Sequence, residues 1–364
     1  MSRQVLPSRI DEWEDAARAV LPEAVFDYFA GGAEDEVTLR ANRMAWQHVF
    51  LRPRVLVDVS DVDTSVTLLG QRLAHPVLLA PAAFQRLANE EGECASARAA
   101  RRSGTLMVAS SLATFSVEEI SSAAPGPFWL QVYVFRNRDL TRELVGRAIA
   151  AGATALCLTV TVPVQGGRER DARNRFSLPP GMEMANFRGY AQAHLPANGA
   201  ALASYIHFEF DASLSWKDLD WLCAISSVPV LVKGIMTPED ACLALEHGAA
   251  GVIVSNHGGR QLDGAEPTAI ALPQVAKAIG GRAPVLVDGG IRRGSDVVKA
   301  LALGANAVLI ARPYLWGLAL AGEDGVLAAL EQLRAETART LALVGITRAT
   351  EVGRELLSSA GWKW

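Results

Sequence analysis

Eight short apolar runs, rich in β-branched residues, constrain the fold of this chain more than any other feature. They are Val77–Ala80, Leu106–Ala109, Phe128–Val134, Ala155–Val162, Pro229–Val232, Gly251–Val254, Pro284–Val287 and Ala307–Ile310. Uninterrupted apolar runs suit strands buried on both faces of a parallel sheet, because a strand with one wet face alternates instead. Each run is followed by a polar or Gly-rich patch and then a helical stretch. Ser116 to Glu119 reads as a capping box, and Thr237 with Pro238 reads as an N-cap followed by proline at the first helical position. Gly104, Gly152, Gly248 and Gly304 stand just past helical stretches, where a left-handed residue ends a helix. Eight β/α units predict an α/β fold, a (β/α)8 TIM barrel over about residues 76–320. A doubly wound sheet is the alternative, but no switch point is visible in the repeat.

Two segments lie outside the repeat. Residues 1–75 form an extension with a helix at Ile10–Val20, and residues 177–213 make a long connection after the fourth strand, read as a lid. Leu330, Leu333, Leu341 and Leu343 suggest closing helices. No linker divides the 364 residues, so one domain over 1–364 is expected. A net charge of −4 offers no basic surplus for nucleic acid or an anionic membrane. The four cysteines are scattered, without a C-x-x-C pair, and the six histidines show no metal-ligand spacing, so no metal is expected. The N-terminus lacks the apolar core of a signal peptide, and no run of 18 or more apolar residues occurs. A cytoplasmic enzyme without a membrane partner is the expectation.

In a barrel the chemistry lies at the C-terminal ends of the strands. There the sequence places Ala80 to Ala83, Ser110 with Ser111, Gln131 with Tyr133, Thr159 with Thr161 and then Arg168, Lys233, Ser255 to Arg260, Asp288 to Gly294, and Ala311 with Arg312. The loop from Asp288 to Gly294 offers bare backbone N–H groups and a guanidinium at a helix start, which suits phosphate, and Arg312 on the next strand supports that reading. The plain alternative is a tight turn that needs glycine. Lys233 ends a buried-looking strand, where a lysine is costly unless paired; it is a Schiff-base lysine, a cation beside a cofactor, or a snorkelling surface residue. His257 can act as a base near neutral pH, and Arg260 can grip a carboxylate through two N–H groups. The other five histidines have no such company.

At this point the chain resembles the FMN-dependent α-hydroxy-acid oxidases and dehydrogenases, which include glycolate, lactate and mandelate oxidases. SNHGGRQLD (255–263) and DGGIRRGSDVVKALALGA (288–305) carry the likeness. DYFAGGAEDE (27–36), ANR (41–43), RPR (52–54), EGE (91–93), QVY (131–133), RNRF (173–176), LSW (214–216) and LVKGI (231–235) follow in the family's order. The resemblance implies FMN as cofactor and oxidation of a 2-hydroxy acid to a 2-oxo acid, in which a base removes the α-proton or a hydride leaves directly. It makes His257 the base, and it places Arg260 and Arg168 on the substrate carboxylate with Tyr133 and Tyr28 on substrate oxygens. Lys233 then balances negative charge on the flavin. Ala82, Ala83, Ser110, Gln131, Thr159 and Ser255 face the isoalloxazine or ribityl. Asp288, Gly290, Arg292, Ala311 and Arg312 hold ribityl and phosphate. A homotetramer or octamer is the family's usual assembly.

The chain also departs from the family. Thr161 stands where the family carries the aspartate that pairs with the catalytic histidine. A threonine can orient the imidazole but brings no charge. Three outcomes follow: an ordinary oxidase with a weaker base, an enzyme that acts on an acidified substrate or runs a diverged flavin reaction such as oxidative decarboxylation or a biosynthetic oxidation, or an FMN-binding protein without activity. A non-redox FMN barrel, such as a type 2 isopentenyl diphosphate isomerase, is disfavoured by the paired arginines. Leu112 stands where glycolate oxidases carry tryptophan, Gln165 where an apolar residue is common, Gly167 where an arginine is, and Ala311 where a glycine is. AGGAEDE and PAAFQR resemble hydroxymandelate oxidases. The expected substrate is an aryl or bulky (S)-2-hydroxy acid, with O2 as acceptor giving H2O2.

Overall fold

All eight runs become strands of one parallel sheet. In the computed structural model, which describes residues 6–190 and 210–358, a two-stranded hairpin comes first, β1 (Val66–Leu68) and β2 (Gln71–Leu73). The sheet follows with β3 (Val77–Leu79), β4 (Val108–Ser110), β5 (Phe128–Val132), β6 (Ala153–Thr159), β7 (Val230–Ile235), β8 (Gly251–Val254), β9 (Val285–Val287) and β10 (Ala307–Ile310). Neighbours pair in parallel in chain order, and β10 returns to β3. A bridge from Leu79 to Met107, with the Leu79 N–H donating to Leu106 O, links β3 to the start of β4 and closes the barrel.

The period of two in a strand sets up the site. Leu78, Val108, Trp129, Cys157, Leu231, Ile253, Leu286 and Leu309 fill the barrel interior as one buried cluster. Two residues further along each strand, and so on the same face, stand Ala80, Ser110, Gln131, Thr159, Lys233, Ser255, Asp288 and Ala311. The interior is thus apolar below and polar at the C-terminal rim. The hairpin plugs the opposite end, where Val66, Leu68 and Leu73 join the interior cluster. Its turn, Leu69–Gly70, has both residues at positive φ (47° and 78°), the geometry that matches the twist of a two-residue hairpin. Only the glycine signals this turn in the sequence.

Helices surround the barrel. The extension supplies α1 (Ile10–Val20), α2 (Glu23–Ala30) and α3 (Val37–Gln47). Within the barrel follow α4 (Gly92–Ser103), α5 (Val117–Ala123), α6 (Arg138–Ala150), the short α7 (Glu169–Arg173), α8 (Trp216–Ile225), α9 (Pro238–Glu246), α10 (Thr268–Ile279), α11 (Gly294–Ala302) and α12 (Arg312–Val344). Both hydrogen bonds of the Ser116–Glu119 capping box form, and Thr237 caps α9. Gly104 ends α4 in the left-handed region, whereas Gly152, Gly248 and Gly304 come one residue after the cap of their helices. The expected closing helices merge into α12, which breaks at Ala321 and Gly322. Leu330, Leu333 and Leu341 are buried, but Leu343 is 69% exposed and Val344 takes the inner position. Of the expected lid 177–213, residues 191–209 lie outside the described residues. The part at 184–187 packs on the barrel rim, with Asn186 Nδ2 donating to Ser111 O (3.0 Å) and Oδ1 accepting from the Val117 N–H (2.9 Å). Among the described residues no helix is long and apolar enough to cross a membrane, and no group of three His, Cys, Asp or Glu could hold a metal.

Candidate active site

One cavity opens at the C-terminal rim of the barrel. It is lined by Tyr28, Ala82, Ala83, Ser110, Leu112, Gln131, Tyr133, Thr159, Arg168, Lys233, His257, Arg260, Asp288, Gly290, Arg292, Ala311 and Arg312. Residues from the N-terminal extension and from all eight strand ends therefore meet in one place. Two sequence candidates are not in the wall. Ser255 lies behind Lys233, accepting from its Nζ at 2.7 Å and from the His257 N–H at 3.1 Å. Gln165 does not reach the cavity; Val162 forms the wall there. Phe29 and Phe210, not singled out in the sequence, also line it.

Lys233 is buried and its Nζ lies 2.7 Å from Asp288 Oδ2, so its charge is already matched. The other oxygen, Asp288 Oδ1, has no partner, and neither do Gln131 Nε2 and Thr159 Oγ1. Gln131 Oε1 accepts from the Ser111 N–H at 3.3 Å, which leaves the amide nitrogen as the free donor. Buried polar atoms are almost always paired in folded proteins. Three orphaned ones on neighbouring parts of one cavity mark where a polar, extended ligand belongs.

The arginines are in excess. Burial pulls Arg260 and Arg292 down to about 10 and Arg312 to about 9, and the arginines add to this by repelling one another, Arg168 against Arg260 and Arg312 against both Arg260 and Arg292. Such an array calls for anions, one near Arg168 and Arg260 and another near Arg292 and Arg312. The expected phosphate cradle is modified at the start of α11. The N–H groups of Arg292 and Arg293 donate to Asp296 Oδ2 and that of Gly294 to Glu336 Oε2, so these acids occupy the helix start. An anion there meets the guanidinium groups and the Gly289–Gly290 part of the loop. Gly290 is also required by packing, since a Cβ would lie 2.1 Å from Asn42 O on α3.

His257 sits in the left-handed region (φ 58°), followed by Gly258 and Gly259 at 65° and 74°. For histidine that backbone costs of order 1–3 kcal/mol. The turn is held from α3: a Cβ on Gly259 would meet Leu39 N at 2.6 Å, and Asn42 and Asn256 exchange amide hydrogen bonds of 2.8 and 2.9 Å. His257 Nδ1 lies 2.7 Å from Thr161 Oγ1. Burial, then Lys233, Arg168, Arg260 and Arg312, push the imidazole well below its ordinary value, so it is neutral. Burial likewise raises the Tyr28 and Tyr133 phenols, which stay protonated as donors. The Tyr28 ring stacks on Phe176 (4.3 Å, 6°) and lies under the Arg260 guanidinium at 5.2 Å. Arg260 Nη1 and Arg312 Nη2 both donate to Gly31 O, at 2.8 and 2.9 Å. Asp171, with one unpartnered oxygen, faces the same arginines; burial raises its carboxyl and Arg260 and Arg168 oppose that.

Known proteins resemble this chain over nearly its whole length. The family model for FMN-dependent dehydrogenases matches residues 17–359. Glycolate oxidase 3 of Arabidopsis thaliana is 49% identical over 348 residues, 95% of each chain. L-lactate oxidase of a Nostoc species is 47% identical over 96% of this chain and 98% of its own. A crystal structure of mandelate oxidase with (S)-4-hydroxymandelic acid superposes with a TM-score of 0.92 at 44% identity, covering 97% of this chain and 98% of that one.

Proposed function

The chain belongs to the family of FMN-dependent dehydrogenases, and on that premise we propose that it oxidises an aryl or bulky (S)-2-hydroxy acid to the 2-oxo acid, with O2 as acceptor and H2O2 as second product. The carrying observation is that one cavity holds a neutral imidazole, two phenol donors and an excess of arginines. FMN fits the rest of the cavity. Gln131 Nε2, Thr159 Oγ1 and Asp288 Oδ1 would bond its ring and ribityl polar atoms, while Arg292 and Arg312 would meet its phosphate. Bound there, FMN supplies the two-electron acceptor.

The remaining work falls to the chain. Arg168 and Arg260 hold the substrate carboxylate, with two-pronged geometry available to each. Tyr28 and Tyr133 donate to substrate oxygens. His257 Nε2, the ring nitrogen not facing Thr161, takes the substrate's proton. Thr161 holds the ring by Nδ1 without adding charge. The Lys233–Asp288 pair fixes a positive nitrogen beside the ring site while adding no net charge to the cavity.

The test is anaerobic mixing of the purified holoprotein with (S)-mandelate, following the visible flavin band. Bleaching is the expected result. A band that survives mandelate, lactate and glycolate would remove the hydroxy-acid reading. It would favour the second one, a diverged flavin reaction, which rests on the Thr161–His257 contact.

A further inference from the structure

A second cavity adjoins the first behind a thin partition. The two share Tyr133, Thr159, Val162 and Phe210. The partition is aromatic: the Tyr133 and Phe210 rings meet tilted, 4.4 Å apart at 31°. Beyond it, Leu158 of β6 and Val160 just after it, Val232 and Ile235 of β7, and Trp216 and Leu219 of α8 line a chamber of about 220 Å³. Of the two acids in this wall, Asp218 is matched, at 2.7 Å from Arg138 and 2.8 Å from the Ser215 N–H, and Asp240 stands in the first turn of α9. The rest of the chamber's lining is mostly apolar. An apolar cavity of about 150 Å³ holds a benzene ring, so this one has room for an aryl group or a chain of several methylenes.

We propose that this chamber receives the far end of the substrate's side chain. The enzyme then favours 2-hydroxy acids whose apolar side chains reach past Tyr133 and Phe210. The inference rests on the 2-hydroxy-acid reading above. Its physical basis is the shared wall: the Tyr133 phenol lies near Arg168, Tyr28 and Arg260 of the reaction cavity while the same residue lines the chamber, so a substrate side chain that passes the Tyr133–Phe210 pair enters it. Each methylene transferred from water into such a space raises kcat/KM by about fourfold.

The experiment uses the FMN-loaded enzyme and a series of straight-chain (S)-2-hydroxy acids from lactate to 2-hydroxyoctanoate, with kcat/KM and the rate of flavin reduction as readouts. Expected is a rise of about fourfold per methylene once the side chain passes the partition, ending in a plateau. Val160 lines the chamber but not the reaction cavity and is 40% exposed, so Val160→Phe fills space at little risk to folding. That variant should cut kcat/KM for the octanoate at least about tenfold and leave lactate within about twofold. Short acids accepted with a flat series would overturn this proposal alone, as would a variant that loses lactate and octanoate equally. Failure of every acid to reduce the flavin would overturn the hydroxy-acid reading and this proposal with it.

Discussion

Thr161→Asp is the substitution whose effect the geometry predicts most directly. In the wild type, the His257 ring meets a neutral hydroxyl 2.7 Å from its Nδ1, and four cations oppose its protonation. When His257 takes a proton, the positive charge arises among Lys233, Arg168, Arg260 and Arg312 with no nearby carboxylate on the Thr161 side. An aspartate there turns the contact into a charge-assisted hydrogen bond, which contributes about 1.5–3 kcal/mol. Residue 234 being glycine leaves room on that side: the Thr161 methyl lies 2.5 Å from where a Cβ on Gly234 would stand, and the longer aspartate side chain uses that space. If the gain appears only once the imidazolium forms, flavin reduction accelerates by about 10- to 150-fold. Stopped-flow mixing of the anaerobic holoenzyme with (S)-mandelate, repeated across pH, measures it. The acid limb of the reduction rate should also move up in pH, because the carboxylate raises the depressed imidazole. A rate that is unchanged or lower, with the limb unmoved, would refute the idea that the missing charge limits this histidine.

Other consequences are simpler to state. Leu112 is buried in the cavity wall, so Leu112→Trp should lower kcat/KM for mandelate relative to glycolate by about 10- to 200-fold; an unchanged ratio would show that the substrate side chain does not point there. Lys233→Met leaves Asp288 as an unpaired buried charge and should cost about 3–5 kcal/mol in urea unfolding, much of which Lys233→Met combined with Asp288→Leu should restore. Equal stability of the single and double variants would contradict this. His75 is fully buried; the Val77 N–H points at its Nδ1, so the proton sits on Nε2 toward Ser103, and burial with Arg334 nearby lowers the ring to about 4. The unfolded chain then binds the extra proton between pH 6.5 and 4. Stability is therefore full above 6.5 and should fall by about 2 kcal/mol from pH 7 to 5, a fall that His75→Gln should remove.

The barrel was readable because burial on both faces leaves an uninterrupted apolar signature, and the polar residue that ends each run falls on the inner face by the period of two. Gln131, Thr159 and Lys233 were legible for that reason. What stayed hidden depends on distant pairings. Asn42 ties the two ends of the loop after β8 through Asn256 and through Thr268, whose N–H donates to Asn42 Oδ1 and whose hydroxyl donates to Asp288 O after β9, yet alone it is an ordinary polar residue in a helix. Phe210 follows a long connection without periodicity. The loop Asp288–Gly294 looked like a set of bare donors because Glu336, which meets the Gly294 N–H, lies 42 residues away in sequence.

The two arginine bonds to Gly31 O bear on how the site comes into being. They join positions 229 and 281 residues apart. During synthesis the Tyr28–Gly31 segment emerges first and finds neither guanidinium until most of the chain has followed. Contacts of such sequence separation form late and slowly, since the loop must close before they are made. The end of the cavity where Arg260 and Arg312 meet Gly31 is thus among the last parts of the molecule to assemble, and a nascent chain lacking both arginines has most of its barrel strands but no finished cavity.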